Sequence, residues 1–253
     1  MPLTYLSVAE ARDLPGLRLV LTAHVPGPWG EAAKAVFKLR NVPYAPVAQI
    51  AMQPNEELVA WTGIRNAPVA VFEDEAPRSG WLEILLLAER LGSGPSLLPD
   101  DPIERALSLG FSTEICGPEG LLWSRRLGMF GAAGSGSGPQ NPILTGYGLR
   151  PDTAAKAPAR VVSILGGLTE QLRRQRAAGS EYLVGSSLSA CDVYWACFSV
   201  AFDPPPHDLC PMPPQVRETY SSSTPELAAA LDPELIKHRD MVFQRHIGLP
   251  LVF

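Results

Sequence analysis

Asn66-Ala67-Pro68-Val69-Ala70-Val71-Phe72 decides the fold of this chain: a proline followed at once by an apolar β-rich run that ends in the acidic turn Glu73-Asp74-Glu75. Proline donates nothing to a strand ladder, so this one belongs at the start of a strand. The tight turn before it admits a cis Ala67–Pro68 bond, which costs only about 0.5–1 kcal/mol for X–Pro. A cis proline there turns the N–H and C=O of Ala67 outward, where an extended peptide can pair with them. A trans proline at a strand start explains the same seven residues equally well.

The neighbouring segments supply context. Upstream, Leu17-Arg18-Leu19-Val20-Leu21-Thr22 reads as a strand, Val25-Pro26-Gly27-Pro28 as a turn, and Gly30 to Arg40 as a helix. Tyr44 to Ile50 reads as a further strand, placed at a sheet edge by Pro46. Downstream, Ile84, Leu87, Ala88 and Leu91 keep the i, i+3, i+4, i+7 spacing of an amphipathic helix. Only a short strand, or none, is expected around Arg78. Gly92-Ser93-Gly94-Pro95-Ser96 is linker chemistry and marks a boundary, giving domains over 1–93 and 94–253.

Beyond it, Asp101 and Pro102 form an N-cap and N1 pair, and Gly117-Pro118 ends the helix they begin. A second helix runs to Phe130, then GAAGSGSGP (131–139) reads as a low-complexity loop. Val161 to Leu172 marks another helix. Ser189-Ala190-Cys191-Asp192 has the Ser-x-x-Asp spacing of a capping box before the wholly apolar Val193–Phe198, a helix buried on all sides. Residues 202–219 read as proline-rich irregular chain. Thr224-Pro225 and Asp232-Pro233 are caps of two more helices, and the apolar segment from His246 to Phe253 is expected to pack back onto the body.

Composition limits the function. The chain has 253 residues, 46% hydrophobic, and a net charge of −5. That size suits one large domain or two ordinary ones, and the charge leaves no basic footprint for nucleic acid. No apolar run reaches the roughly 18 residues that span a bilayer. Met1 to Tyr5 has no basic stretch before an apolar core, and the four cysteines form no CxxC pair, so a cytoplasmic location is expected. His207 and Cys210 share a His-x-x-Cys spacing, too few ligands for zinc, and no metal is expected.

The order strand, helix, strand, proline-led strand, helix resembles the thioredoxin-like domain of the glutathione S-transferase superfamily. The glycine, capping box and buried helix of 185–198 are similar to that family's helical domain. The resemblance covers about residues 17–127 and 180–199. It implies an α/β N-terminal thioredoxin-like domain followed by an all-α helical bundle, usually a homodimer. Glutathione is the implied cosubstrate, transferred to a small apolar electrophile. Residue by residue, Ala67 and Pro68 match the clamp on the cysteinyl backbone of glutathione. Ser79 and Gly80 match the acidic–serine pair that grips the γ-glutamyl group, so the carboxylate is missing. Gly27, with Pro28 and Trp29 after it, occupies the catalytic turn, where the family has tyrosine, serine or cysteine. His24 is the nearest polar side chain. The acceptor pocket is expected from Phe111, Ile115 and Trp123 with Trp29.

A free thiol of pKa about 8.5 is roughly 3% ionised at pH 7. A drop of about two units raises that about 25-fold, and the weaker nucleophilicity of a more acidic thiol takes back about eightfold. Losing the hydroxyl therefore weakens a transferase without abolishing it, since positioning contributes more. Two other outcomes stay open: a non-catalytic binding protein or dimeric scaffold of the same fold, and a thiol–disulfide reductase, which the absent turn cysteine opposes.

Overall fold

A computed structural model describes residues 3–132 and 151–253, with side chains for 3–129 and 154–253. Two compact units emerge. One comprises Met1–Leu97, Ser199–Ser221 and Met241–Phe253, the other Leu98–Phe198 and Ser222–Asp240.

The first unit is built on a three-stranded sheet in the order β2-β1-β3, from β1 (Leu17–Thr22), β2 (Ala45–Gln49) and β3 (Val69–Phe72). β2 runs parallel to β1, with Val20 opposite Val47, and β3 runs antiparallel, with Val20 opposite Val69. Alternation sends side chains to opposite faces. Val20, Val47, Val69 and Val71 join Val8, Ala11 and Leu58 in one core cluster, with α1 (Val8–Ala11) and α3 (Glu56–Thr62). α2 (Pro28–Leu39) and α4 (Trp81–Leu91) supply further buried faces, and Gly30 of α2 lies over Leu21. α2 begins two residues before the expected start, because Pro28 takes the N1 position its fixed φ suits. Its buried face is Ala32, Ala33, Ala35, Val36 and Phe37, while Leu39 is only half-buried.

Pro46 is accommodated because β2 is an outer strand of the ladder, where its carbonyl accepts from the N–H of Leu6 at 2.9 Å. Leu6 also bridges Val47, so the N-terminal segment runs along that edge. Around Arg78 there is no strand, only a bridge in which Arg78 and Ala70 exchange both backbone hydrogen bonds.

The second unit is helical: α5 (Pro102–Cys116), α6 (Leu121–Ala132), α7 (Pro151–Ala177), α8 (Ala190–Ser199), α10 (Pro225–Ala230) and most of α11 (Pro233–Val242). Asp101 caps α5 through bonds from Ile103 N–H and Glu104 N–H, both 2.9 Å. Gly117 ends it where a Cβ would meet the Thr113 carbonyl at 2.7 Å. Of the loop expected over 131–139, Gly131 and Ala132 instead close α6, and 133–139 lie outside the described residues. α8 is buried along its whole length.

Its capping box departs from the reciprocal form. Ser189 N–H donates to Asp192 at 2.9 Å, but the Ser189 hydroxyl also donates to that carboxylate, at 2.9 Å. Asp192 further accepts from Leu183 N–H at 2.7 Å and pairs with His238 of α11 at 2.9 Å, both partners fully buried. Thr224 and Asp232 cap α10 and α11 as their spacing predicts.

The irregular reading of 202–219 needs correction. Residues 214–221 form α9 (Pro214–Ser221), started by a proline at its first position, and this segment belongs to the first unit. The C-terminal segment packs there too: Leu251 N–H donates to the Leu209 carbonyl at 2.8 Å, and Lys38 Nζ to the Ile247 carbonyl at 2.6 Å. Among the described residues no helix is long and apolar enough to cross a membrane.

Candidate functional site

Strand direction gathers the predicted site residues of the first unit at one end of its sheet. β1 delivers the chain to the Gly27 turn at its C-terminal end. β3 is antiparallel to β1, so Ala67 and Pro68, just before it, start at that same end. Arg78 pairs back with Ala70, and the chain then runs beside the start of β3, which carries Ser79 and Gly80 to the same edge. Three turns far apart in sequence thus meet on backbone geometry alone.

The Ala67–Pro68 bond is cis. Pro68 is buried, Ala67 half-buried, and among the described residues no hydrogen bond engages the Ala67 backbone. Gly27 is the N-cap of α2 and brings no side-chain cap. The positive end of the helix dipole therefore faces the turn without an intrinsic partner at the cap position. Trp29, in the first turn, is half-buried. His24 sits at φ 61° with an exposed side chain, its ring edge-on to Tyr5 at 5.6 Å.

Gly80 is the N-cap of α4, and its N–H donates to Glu83 at 3.0 Å. With no side chain on Gly80, this is one arm of a capping box only. Glu83, the nearest carboxylate to the Ser79-Gly80 pair in sequence, is thereby committed to capping its own helix. Ser79 is exposed. In the second unit, Phe111 and Trp123 are half-buried, and Trp123 packs on the Leu127–Ala157 cluster. Ile115 is fully buried.

Several polar residues near the turn were not singled out from sequence. Glu31, one turn into α2, is buried and pairs with Lys34 at 2.7 Å. Burial pushes its carboxyl up, and the ammonium of Lys34 partly opposes that. Lys34 also donates to the Val252 carbonyl. Tyr5 is pushed up to about 12, by burial first and then by the Glu31 charge, with a hydrogen bond from the His24 backbone pulling the other way. Burial, then Glu31 and Tyr5, raises Tyr44 as well. Both phenols keep their protons at neutral pH.

A further hydroxyl reaches the turn from the opposite end of the chain: Tyr220 of α9 donates to the Pro26 carbonyl at 3.4 Å. Only the Pro213-Pro214 start of α9 hinted at this helix. Elsewhere His207 is exposed and Cys210 buried, so they do not face a common ligand. Among the described residues no group of three or more His, Cys, Asp or Glu side chains gathers to hold a metal ion.

Neither a family model nor any curated protein matches the chain by sequence. Solved structures do match by fold. A glutathione S-transferase of Methylobacterium radiotolerans, in complex with glutathione sulfonate, is 14% identical with a TM-score of 0.62, over 94% of this chain and 97% of that one. One from Methylobacillus flagellatus with glutathione bound is 12% identical with a TM-score of 0.61, over 90% and 95%. The β-etherase LigF of Sphingobium is 16% identical with a TM-score of 0.57, over 89% and 99%. On this likeness, spanning nearly the full length of chains with so little sequence in common, the protein has the glutathione S-transferase fold: a thioredoxin-like domain followed by a helical one.

Proposed function

We propose that the chain binds glutathione at Ala67–Pro68 and transfers it to a small apolar electrophile, from a site weakened at two positions. The observation that carries this is the convergence of the cis Ala67–Pro68 pair, the Ser79-Gly80 pair and the Gly27 turn at one end of the sheet. An unpaired Ala67 backbone suits an extended peptide, and the N-terminus of α2 suits a thiolate. In the same proposal the thioredoxin-like, glutathione-binding part is 1–93 and the helical part 94–253, with Phe111, Ile115 and Trp123 serving the acceptor. A homodimer is proposed as well. Leu82 and Leu86 stand exposed one turn apart on α4, as do Ile103 and Leu107 on α5. Sedimentation as a monomer at micromolar concentration would remove that part. The four free thiols, all buried, fit a reducing cytoplasm.

Titration calorimetry tests the peptide site. Without a carboxylate beside Ser79-Gly80, the γ-glutamyl ammonium lacks one charged hydrogen bond of about 1.5–3 kcal/mol, one to two powers of ten in affinity. Ser79→Glu with Gly80→Ser should restore it. A Cβ on Gly80 meets Glu83 Oε2 at 2.9 Å, the far end of a flexible side chain that can swing away. A double variant that binds no more tightly than wild type overturns the proposal. A second reading, binding or scaffolding without catalysis, is favoured by the side-chain-free Gly27 and the capping role of Glu83. Glutathione binding with no turnover of any aromatic or alkyl halide would select it.

A further inference from the structure

The turn from Ala23 to Gly30 contains no hydroxyl or thiol, yet a nucleophilic thiol needs a donor to hold its ionised form. Two phenols hydrogen-bond to the backbone of this turn, Tyr5 at His24 and Tyr220 at Pro26. Tyr5 is the less suited: its oxygen is bonded by the His24 backbone, and the Glu31 carboxylate lies close enough to disfavour a second anion there. Tyr220 instead addresses Pro26, the residue next to Gly27.

Its mounting is firm. Arg217, one turn earlier on α9, donates through Nη1 to the Pro205 carbonyl at 2.9 Å and through Nη2 to the Cys210 carbonyl at 2.7 Å. Cys210 and Met212, in the chain just before α9, are buried. The bond from Tyr220 to Pro26, by contrast, lies near the long limit for an O–H donor, whose usual distance is about 2.7–2.8 Å. A long neutral hydrogen bond is readily exchanged for a shorter one to an anion. The charged groups on α2 nearest the turn, Glu31 and Lys34, pair with each other at 2.7 Å.

We infer that Tyr220 is the hydrogen-bond donor of the Gly27 turn: its hydroxyl leaves the Pro26 carbonyl for the sulfur of the bound thiol and stabilises the thiolate. This role rests on glutathione occupying Ala67–Pro68, so the experiment separates the two. Glutathione binding is measured by calorimetry, and the pKa of the bound thiol by the ultraviolet absorbance of its thiolate against pH, for wild type, Tyr220→Phe and Tyr5→Phe. At a pH below the bound thiol pKa, Tyr220→Phe should bind glutathione as wild type does, and it should raise that pKa by about one unit, a tenfold loss of thiolate at low pH. Tyr5→Phe should leave that pKa where it was. Should Tyr220→Phe fold poorly, 3-fluorotyrosine at position 220, a more acidic phenol of the same shape, should lower the thiol pKa. A wild type that binds no glutathione overturns the site and this role together. Binding with an unmoved thiol pKa in Tyr220→Phe, or in the fluorinated protein, overturns the role of Tyr220 alone.

Discussion

Replacing Asp192 by alanine should be the most damaging single polar substitution in the helical unit. Its carboxylate is fully buried and accepts four hydrogen bonds, from Leu183 N–H, Ser189 N–H, the Ser189 hydroxyl and His238 Nε2, at 2.7 to 2.9 Å. Alanine strands two backbone N–H groups and one imidazole nitrogen where no solvent reaches. Each orphaned buried donor costs about 1–3 kcal/mol. The hydroxyl can rotate, and the terms are not additive within one network. Three orphaned buried donors, discounted for that, set the scale at about 3–5 kcal/mol. Asp192→Asn keeps one acceptor oxygen but turns an NH2 group toward donors, so it should lose less, about 1–3 kcal/mol. Urea unfolding read by far-ultraviolet circular dichroism gives the total, and hydrogen exchange of the α8 amides localises it, since opening of α8 should approach the global free energy. A midpoint for Asp192→Ala within about 0.5 kcal/mol of wild type, the range of ordinary surface changes, would refute the account of this network.

Ser189→Ala removes only the hydroxyl arm and should lose about 1 kcal/mol, in the range of a lost cap; an unchanged urea midpoint would show that the arm contributes nothing. Glu31 has its pKa raised in the folded state, so its contribution to stability is full below its ordinary value of 4.5 and is lost as pH rises through the raised folded value. Glu31→Gln should flatten the stability profile over that window, and an unchanged slope there would refute the assignment. All four thiols are buried, with Cys116 and Cys191 pushed up by burial, and in Cys191 by Asp192 as well. Native protein at pH 8 should therefore resist iodoacetamide until urea is added, and one thiol reacting at the rate of free cysteine would contradict the packing.

How much of this was legible in the sequence differs between local and distant causes. Pro68 started β3 as its missing N–H requires, and Asp101, Thr224 and Asp232 capped the helices their side chains announced. Those signals are local, a donor or acceptor acting within four residues. Around Arg78, where a short strand or none was expected, a single bridge to Ala70 stands. What sequence could not show depended on chain separated by tens or hundreds of residues. Nothing near Asp192 pointed to His238, and nothing near Pro26 pointed to Tyr220. The helix of 214–221 was hidden by prolines read as breakers, although a proline in the first turn favours a helix rather than ending it.

The same contrast bears on the two glycines that stand where side chains were expected. Judged locally, Gly27 and Gly80 are losses, one of a donor and one of a grip. At Gly80 the helix keeps one arm of its cap, because Glu83 turns back to accept from the Gly80 N–H, and the arm it lacks is the one a serine side chain would offer to the Glu83 N–H. Gaining a carboxylate grip there needs two changes together: a carboxylate at 79 to supply the charge, and a hydroxyl at 80 to complete the pair. At Gly27 a single distant residue is sufficient, since α9 already carries a hydroxyl to the neighbouring carbonyl. The two positions should consequently respond differently to repair. Affinity should respond at 79 and 80, whereas Gly27→Ser should add little to a turn that Tyr220 already serves.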